Sequence, residues 1–342
     1  MSVSIKDIAK RVNRSITTVS RALNGYDDVS PETKQLVLET AKEMGYSPNT
    51  FAQRLQKQQS DTIGLILPTF SPRFSDPYFS ELLAGIGNMA ADLGFDLLVS
   101  TRSPGSEEKE AYEKLIEGRR VDGFIVVRTR KQDQRIDYLR SQDFPFVAFG
   151  RTDDCSQFSY VDEDGYFGMR LVAEYIANLK HERIACILPP AGLAFSEKRL
   201  AGLRDGLGEF NISLDESYIK EGDLTQKSGY QIGSELLDLP EKPTAIIACN
   251  DLMAFGVMSA AQDRNLVVGE DISVTGFDDI PMSEYSHPPL TTVHQPVYQI
   301  GGMVCEMLVK IIQDEIDDPQ QVLLQPNLEI RQSCGLMKEK VN

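Results

Sequence analysis

Between residue 61 and about residue 290, short apolar runs alternate with amphipathic helical stretches, and the series occurs twice. IGLILP (63–68), FDLLVS (95–100), GFIVV (123–127) and FVAFG (146–150) make the first series. RIACILP (183–189), YIKEG (218–222), AIIACN (245–250) and ISVTGFDD (272–279) make the second. Helical spacing fills the gaps, as in YFSELLAGIGNMAADLG (78–94) and DLMAFGVMSAAQDR (251–264). Apolar strands that alternate with helices are buried on both faces, which predicts parallel sheets covered by helices. Two series predict two similar lobes. Ligands in open sheets of this kind bind beyond the carboxyl ends of the strands, so two facing lobes define a cleft.

The first 60 residues read differently. Ile5–Val12 and Ile16–Leu23 are short amphipathic segments separated by Asn13-Arg14-Ser15, the footprint of a helix-turn-helix. Ser4 with Asp7 is an acidic variant of the capping box. Asn13 suits the left-handed conformation of a tight turn. A third helix is expected from Ser30-Pro31-Glu32, through Leu36, Val37, Ala41 and Met44, to a stop at Gly45. Val19, Ala22 and Leu23 form the buried face of the second helix. Ile16, Thr17, Ser20 and Arg21 face outward, where they can reach base edges, thymine methyls or phosphates.

Charge supports this division. Residues 1–60 hold nine Lys/Arg against six Asp/Glu, so a head of +3 leaves −19 for the rest of a chain whose net charge is −16. A basic head on an acidic body fits a DNA module attached to something that does not bind DNA. Cys155, Cys186, Cys249, Cys305 and Cys334 are scattered, with no CxxC spacing, and read as reduced thiols. The N-terminus has no apolar signal region, and there is no apolar run of about 18 residues, so a cytoplasmic protein without a membrane span is expected. His181, His287 and His294 lack metal-ligand spacing. No GxSxG, GxxxxGK(S/T) or strand-linked GxGxxG is present, and no catalytic constellation assembles. Neither an enzyme nor a metal or cofactor is expected.

IKDIA (5–9), TTVSRALNG (17–25), VSPETK (29–34), GYSPN (45–49), FAQRLQ (51–56) and DTIGLILP (61–68) stand in fixed order. Together they resemble the LacI/GalR family of bacterial transcription regulators, and the resemblance runs through the body, which is also similar to periplasmic sugar-binding proteins. The fold class expected is an all-α helix-turn-helix head on an α/β, two-lobed, periplasmic-binding-protein-like body. The domains expected are residues 1–49 for the head, 50–60 for a hinge helix and linker, and 61–342 for the body. Lobe 1 would take about 61–160 and 291–321, and lobe 2 about 161–290 and 322–336. The Asn13-Arg14 pair departs from the small Gly-Val pair common in the family's turn.

The resemblance implies that residues 50–57 fold into a hinge helix only on DNA and that Leu55 enters the minor groove as a wedge. The DNA-contacting set expected is Ser15, Ile16, Thr17, Thr18, Ser20, Arg21, Asn24, Ser30, Tyr46, Asn49, Ala52 and Leu55. For the effector, R-xx-G at 199, Asn250-Asp251 and GFDD with PPLTT (288–292) reproduce the family's pattern, which implies Arg199, Asn250 and Asp278 as polar ligands. Phe79 matches the stacking aromatic, and Arg151 ends FVAFG where some members carry a polar contact. Leu224 stands where several members have an aromatic. The loop TFSPRFSDPYF (69–79), with STR (100–102) and VRTR (127–130), looks similar to the branch that senses α-glucosides. The implied partners are double-stranded operator DNA, a small effector, most readily a sugar, and a second copy of the chain in a homodimer or higher assembly. A purine-type corepressor and a sugar-transport binding protein are the alternatives.

Overall fold

The computed structural model describes residues 3–46, 59–69 and 76–337. The chain divides into two compact units, Met1–Ser60 and Asp61–Asn342. Residues 50–57, and with them the expected hinge helix, lie outside the described residues, as do 47–49 and the loop residues 70–75.

Among its described residues the first unit holds three helices, α1 (Ile5–Val12), α2 (Ile16–Leu23) and α3 (Pro31–Glu43). Local chemistry sets their ends. Ser4 Oγ lies 2.6 Å from Asp7 Oδ2, and the Ser4 amide donates to the same oxygen at 2.9 Å. Asn13 closes α1 in the left-handed conformation, with φ 51°. Ser15 Oγ accepts the Thr18 amide at 3.0 Å, and Ser30 Oγ accepts that of Thr33 at 3.3 Å ahead of Pro31. Ile8, Val19 and Val37 are fully buried at the centre, packed with Ala9, Val12, Ala22, Val29 and Ala41. Leu36 does not join them and is 44 % exposed. Once Val37, Ala41 and Met44 form the inward row at i, i+4 and i+7, Leu36 sits about 100° around the helix from it.

The second unit contains two six-stranded sheets. The first comprises β1 (Thr62–Pro68), β2 (Asp96–Arg102), β3 (Gly123–Val126), β4 (Phe146–Phe149), β5 (Tyr160–Glu163) and β11 (Gln321–Leu324), in the order β11-β5-β4-β3-β1-β2 and parallel throughout. The second comprises β6 (Ile184–Leu188), β7 (Ile219–Glu221), β8 (Ala245–Ala248), β9 (Ser273–Asp278), β10 (Thr291–His294) and β12 (Asn327–Glu329), in the order β12-β10-β9-β8-β6-β7. Only the β10–β12 pair among these is antiparallel.

Helices cover both sheets. In lobe 1 these are α4 (Pro77–Asp92), α5 (Ser106–Glu117), α6 (Gln134–Ser141) and α12 (Val297–Ile312). In lobe 2 they are α7 (Gly165–Asn178), α8 (Ala194–Gly208), α9 (Gln226–Leu237), α10 (Asp251–Gln262) and the short α11 (Met282–Tyr285). The central strands carry the cores, with Ile63, Leu65, Ile125 and Val147 fully buried in one lobe and Ile187, Ile246, Ile247 and Val274 in the other. α4 crosses α12 at Gly85, where a Cβ would lie 2.0 Å from the Tyr298 carbonyl oxygen. Close backbone approach therefore requires glycine there.

The lobe boundaries differ from those expected. β5 belongs to the first sheet, so lobe 1 runs to Glu163 rather than 160. β10 pairs with β9, with Thr291 opposite Thr275, so Thr291–His294 belongs to lobe 2 and the return crossing follows it. β11 pairs with β5, so lobe 1 extends to Leu324 rather than 321. Gln-Pro at 295–296 and again at 325–326 marks the last two crossings. A proline has no amide hydrogen to donate to a ladder, so each strand ends just before one. No helix among the described residues is long and apolar enough to cross a membrane.

Candidate ligand cleft and DNA-reading surface

The carboxyl ends of the strands face one another across a cleft of about 720 Å³, open solvent at its mouth included. Lobe 1 supplies Asp76, Tyr78 and Phe79 from the start of α4, Val127–Thr129 after β3, Phe149–Arg151 after β4, and Asp162 and Glu163 from β5. Lobe 2 supplies Phe195, Lys198 and Arg199 from α8, together with Leu224, Asn250, Asp278 and Gln295. The five residues expected from sequence, Phe79, Arg151, Arg199, Asn250 and Asp278, all line this one cleft.

Three arginines in the wall each pair with a carboxylate that also lines it. Arg128 meets Asp76 at 3.1 Å, Arg151 meets Asp162 at 2.6 Å, and Arg199 meets Glu163 at 3.1 Å. Arg199 is the most enclosed, donating from Nη1 to the Cys249 carbonyl at 2.6 Å and lying 3.5 Å above the Phe277 ring centre. Its Nε and the Glu163 Oε2 are buried and have no hydrogen-bond partner among the described residues. Burial pushes the Glu163 carboxyl up to about 7, against the pull of Arg199. Burial likewise raises Asp278 well above the carboxylate range; Arg199 pulls it down, and Asp251 and Asp76 push it further up. Gln295 Nε2 donates to Asp278 Oδ1 at 2.8 Å. Asp278 and Asp279 both have positive φ, 121° and 55°, so the chain turns sharply where β9 delivers its carboxylates.

The individual positions refine the expectations. Phe79 is 1 % exposed, and the Arg128 guanidinium sits 4.7 Å above its ring. The aromatic next to it, Tyr78, stacks on Phe149 at 6.2 Å with 17° between the rings, and its hydroxyl lies 3.4 Å from Gln295 Oε1. Asn250 caps α10: Oδ1 accepts the Met253 amide at 3.0 Å, and Nδ2 donates to the Leu224 carbonyl at 3.0 Å. Asp251 points away from the cleft and accepts from Ser283, Thr292 and the Ile280 amide. Sequence reasoning missed Asp76, Tyr78, Arg128, Phe149, Glu163, Phe195, Lys198 and Gln295. The strand-end rule reaches Arg128, Phe149 and Glu163, which sit at or just beyond the ends of β3, β4 and β5. No comparable signal singles out Lys198 or Gln295.

In the head, Ile16 is 46 % exposed, Thr17 and Arg21 are exposed, and Thr18 and Ser20 are half-buried. Arg21 pairs with Asp28 at 2.6 Å and lies 5.1 Å from the Tyr26 ring centre, an exposed arrangement that a phosphate or base edge can replace. Ser15, Asn24 and Ser30 occupy helix ends, and Tyr46 packs against the core. Asn49, Ala52 and Leu55 lie outside the described residues.

A helix-turn-helix unit joined to a two-lobed body with a polar cleft defines the class of ligand-responsive DNA-binding regulators. Residues 4–49 match the bacterial regulatory proteins of the lacI family, and residues 173–334 match a periplasmic binding protein-like domain. The HTH-type transcriptional regulator AglR of Rhizobium meliloti is 34 % identical over 339 residues, covering 98 % of this chain and 95 % of that protein. The chain belongs to the lacI family of transcriptional regulators. Among solved structures, a transcriptional regulator CelR–cellobiose complex is 30 % identical with a TM-score of 0.76, covering 97 % of this chain and 99 % of that one. The lac repressor dimer bound to operator and the anti-inducer ONPF is 29 % identical with a TM-score of 0.84, at the same coverage.

Proposed function

We propose that this regulator is a homodimeric repressor released from its operator by an uncharged saccharide bound between the lobes. The observation that carries the reading is the charge balance of the cleft. Each lining arginine is paired with a lining carboxylate, Lys198 adds a cation, and Asp278, whose burial favours its protonated form, adds a group that can donate as well as accept. An anionic ligand gains little from such a wall, whereas hydroxyl groups can both donate to and accept from it. Tyr78, Phe149 and Phe195 offer the apolar faces on which a sugar ring packs. The CelR structure with cellobiose supports a saccharide in the cleft, and the lac repressor dimer bound to operator supports a dimer on DNA. The similarity to AglR, with the loop 69–79 and VRTR, favours an α-glucoside.

In this reading Ile16, Thr17 and Arg21 read bases from α2, and the segment 50–57 carries Leu55 into the minor groove. Arg199, Asp278 and Asn250 orient the sugar, with Tyr78 beside it. Ligand closes the lobes on itself, the first lobes of the dimer shift, the two 50–57 segments separate, and operator affinity falls. The chain acts by binding, as the transcriptional regulators it resembles do. Thermal-shift screening of the full chain against mono- and disaccharides, followed by operator titrations with each hit, tests the reading. A stabilising saccharide that lowers operator affinity is expected. Stabilisation by purines or sugar phosphates, with none by neutral sugars, overturns it.

A further inference from the structure

One connection, between β3 and α6, does two things at the cleft. It contributes Arg128 and Thr129 to the wall. It also touches the opposite lobe directly, through an antiparallel bridge between Arg130 and Leu193. There the Ala194 amide donates to the Thr129 carbonyl at 3.0 Å, the Lys131 amide donates to the Gly192 carbonyl at 3.3 Å, and Lys131 pairs with Glu197. Arg128 enters this connection at φ 51°, a conformation that a residue with a side chain keeps only when its surroundings enforce it.

The enforcing groups lie behind the loop, on the side away from the cleft. Glu108, on α5 and 1 % exposed, accepts from Arg130 Nη2 at 2.8 Å and from Arg135 Nη1 at 3.1 Å. Arg135, on α6 and equally enclosed, holds Asp133 through Nε at 2.8 Å and Nη2 at 2.7 Å. It also donates from Nη2 to the Arg128 carbonyl at 3.0 Å, at the strained residue itself. Asp133 in turn accepts the Arg130 amide at 3.0 Å. Four charged side chains therefore fix one short loop. Burying them is a poor way to gain stability, since well-packed apolar side chains of similar volume usually do as well or better. What the cluster supplies is the direction of each bond.

We propose that Glu108 and Arg135 are positioning residues: they touch no ligand, yet they hold the 128–131 loop in the shape that both lines the cleft and engages the other lobe. The consequence for affinity rests on the cleft being the effector site; the consequence for lobe pairing does not.

The test separates the two. Hydrogen exchange is followed on the full chain without ligand, at the amides of Lys131 and Ala194, with Leu65 in β1 as an internal reference. Glu108→Gln should speed exchange at Lys131 and Ala194 by about ten-fold or more and leave Leu65 unchanged. Unchanged exchange at 131 and 194 overturns the proposal, as does equal acceleration at all three amides, which is the signature of general destabilisation. Should Glu108→Gln fail to fold, Arg130→Lys keeps the charge at a side chain 23 % exposed and shortens its reach to Glu108, and the same selective pattern is expected. A saccharide that stabilises the parent chain should then bind Glu108→Gln about ten-fold more weakly, and equal binding overturns the link to affinity. If no saccharide binds the parent chain, the cleft reading falls, and the exchange result still decides whether the loop is positioned from behind.

Discussion

Replacing Glu163 by Gln isolates the electrostatics of the cleft. The carboxylate is 5 % exposed, one oxygen accepts from Arg199 at 3.1 Å, and burial raises its pKa from 4.5 to about 7. Because the folded-state pKa exceeds the unfolded one, the folded state holds the proton more tightly. The stability this gives is complete below pH 4.5 and disappears as pH rises through about 7. Integrated over that window, the parent chain loses about 2.5 kcal/mol between pH 5 and pH 8 from this group. Gln has the same shape, keeps an oxygen for Arg199 and does not titrate. Two effects compete at pH 8. Removing one member of a buried pair costs about 3–5 kcal/mol when it strands the other charge. Arg199, however, keeps the Cys249 carbonyl, the amide oxygen of the new Gln and the Phe277 face, and the raised Glu163 pKa already includes the attraction of Arg199. Burial therefore wins, and Glu163→Gln should gain about 2.5 kcal/mol relative to the parent on going from pH 5 to pH 8. Urea unfolding followed by tyrosine fluorescence, in a chain without tryptophan, reads this difference. Asp251, which burial also pushes up to about 7, is present in both proteins and cancels. A gap between the two proteins that is independent of pH, or that moves the other way, refutes the reasoning.

Other perturbations have equally defined outcomes. Gly85→Ala places a Cβ 2.0 Å from the Tyr298 carbonyl oxygen and should cost about 1–3 kcal/mol or more in chemical denaturation, whereas Gly87→Ala, with open space around its Cβ, should be neutral or slightly stabilising. Ser15→Ala removes the cap on α2 and should lower the head's stability by about 1 kcal/mol, seen as an earlier thermal transition and weaker operator binding. Coupling between the sites must be reciprocal, so saturating operator should raise the Kd of an inducing saccharide by the factor by which that saccharide raises the operator Kd; unequal factors at equilibrium contradict a single coupled mechanism.

What the sequence reveals tracks how local each determinant is. The ends of α1, α2 and α3 follow from Ser4, Asn13, Ser15 and Ser30-Pro31, because a cap is made by residues a few positions apart. The cleft positions of Asn250 and Asp278 are legible because a strand's carboxyl end is set by the strand itself, whereas Arg199, within α8, is reached through the family resemblance. PYF is harder. Tyr78 and Phe79 are adjacent aromatics, and only the packing of α4 decides that one stacks on Phe149 while the other turns into the core beneath Arg128. Thr291–His294 is expected in lobe 1 from the sequence, but the segment pairs with β9, the strand just before it, and the crossing follows only at Gln295-Pro296. Glu108 and Arg135 look like solvated helix positions. Their burial is created by elements that meet only in the finished fold.

The way the chain crosses between the lobes bears on how the protein is made. The edge strand β11 of the first sheet and the edge strand β12 of the second are both drawn from residues 321–329, after all ten other strands of the body. A nascent chain therefore carries two unfinished sheets until residues 321–329 have been made. Each exposes a strand edge during that time, β5 in one lobe and β10 in the other. The helix-turn-helix precedes both sheets in the chain and has its own buried core, so a ribosome can bear a folded head on a body that is not yet closed. Termination between residues 295 and 320 would leave both sheets without their last strand, and the shortened product would present the open β5 and β10 edges to chaperones and proteases.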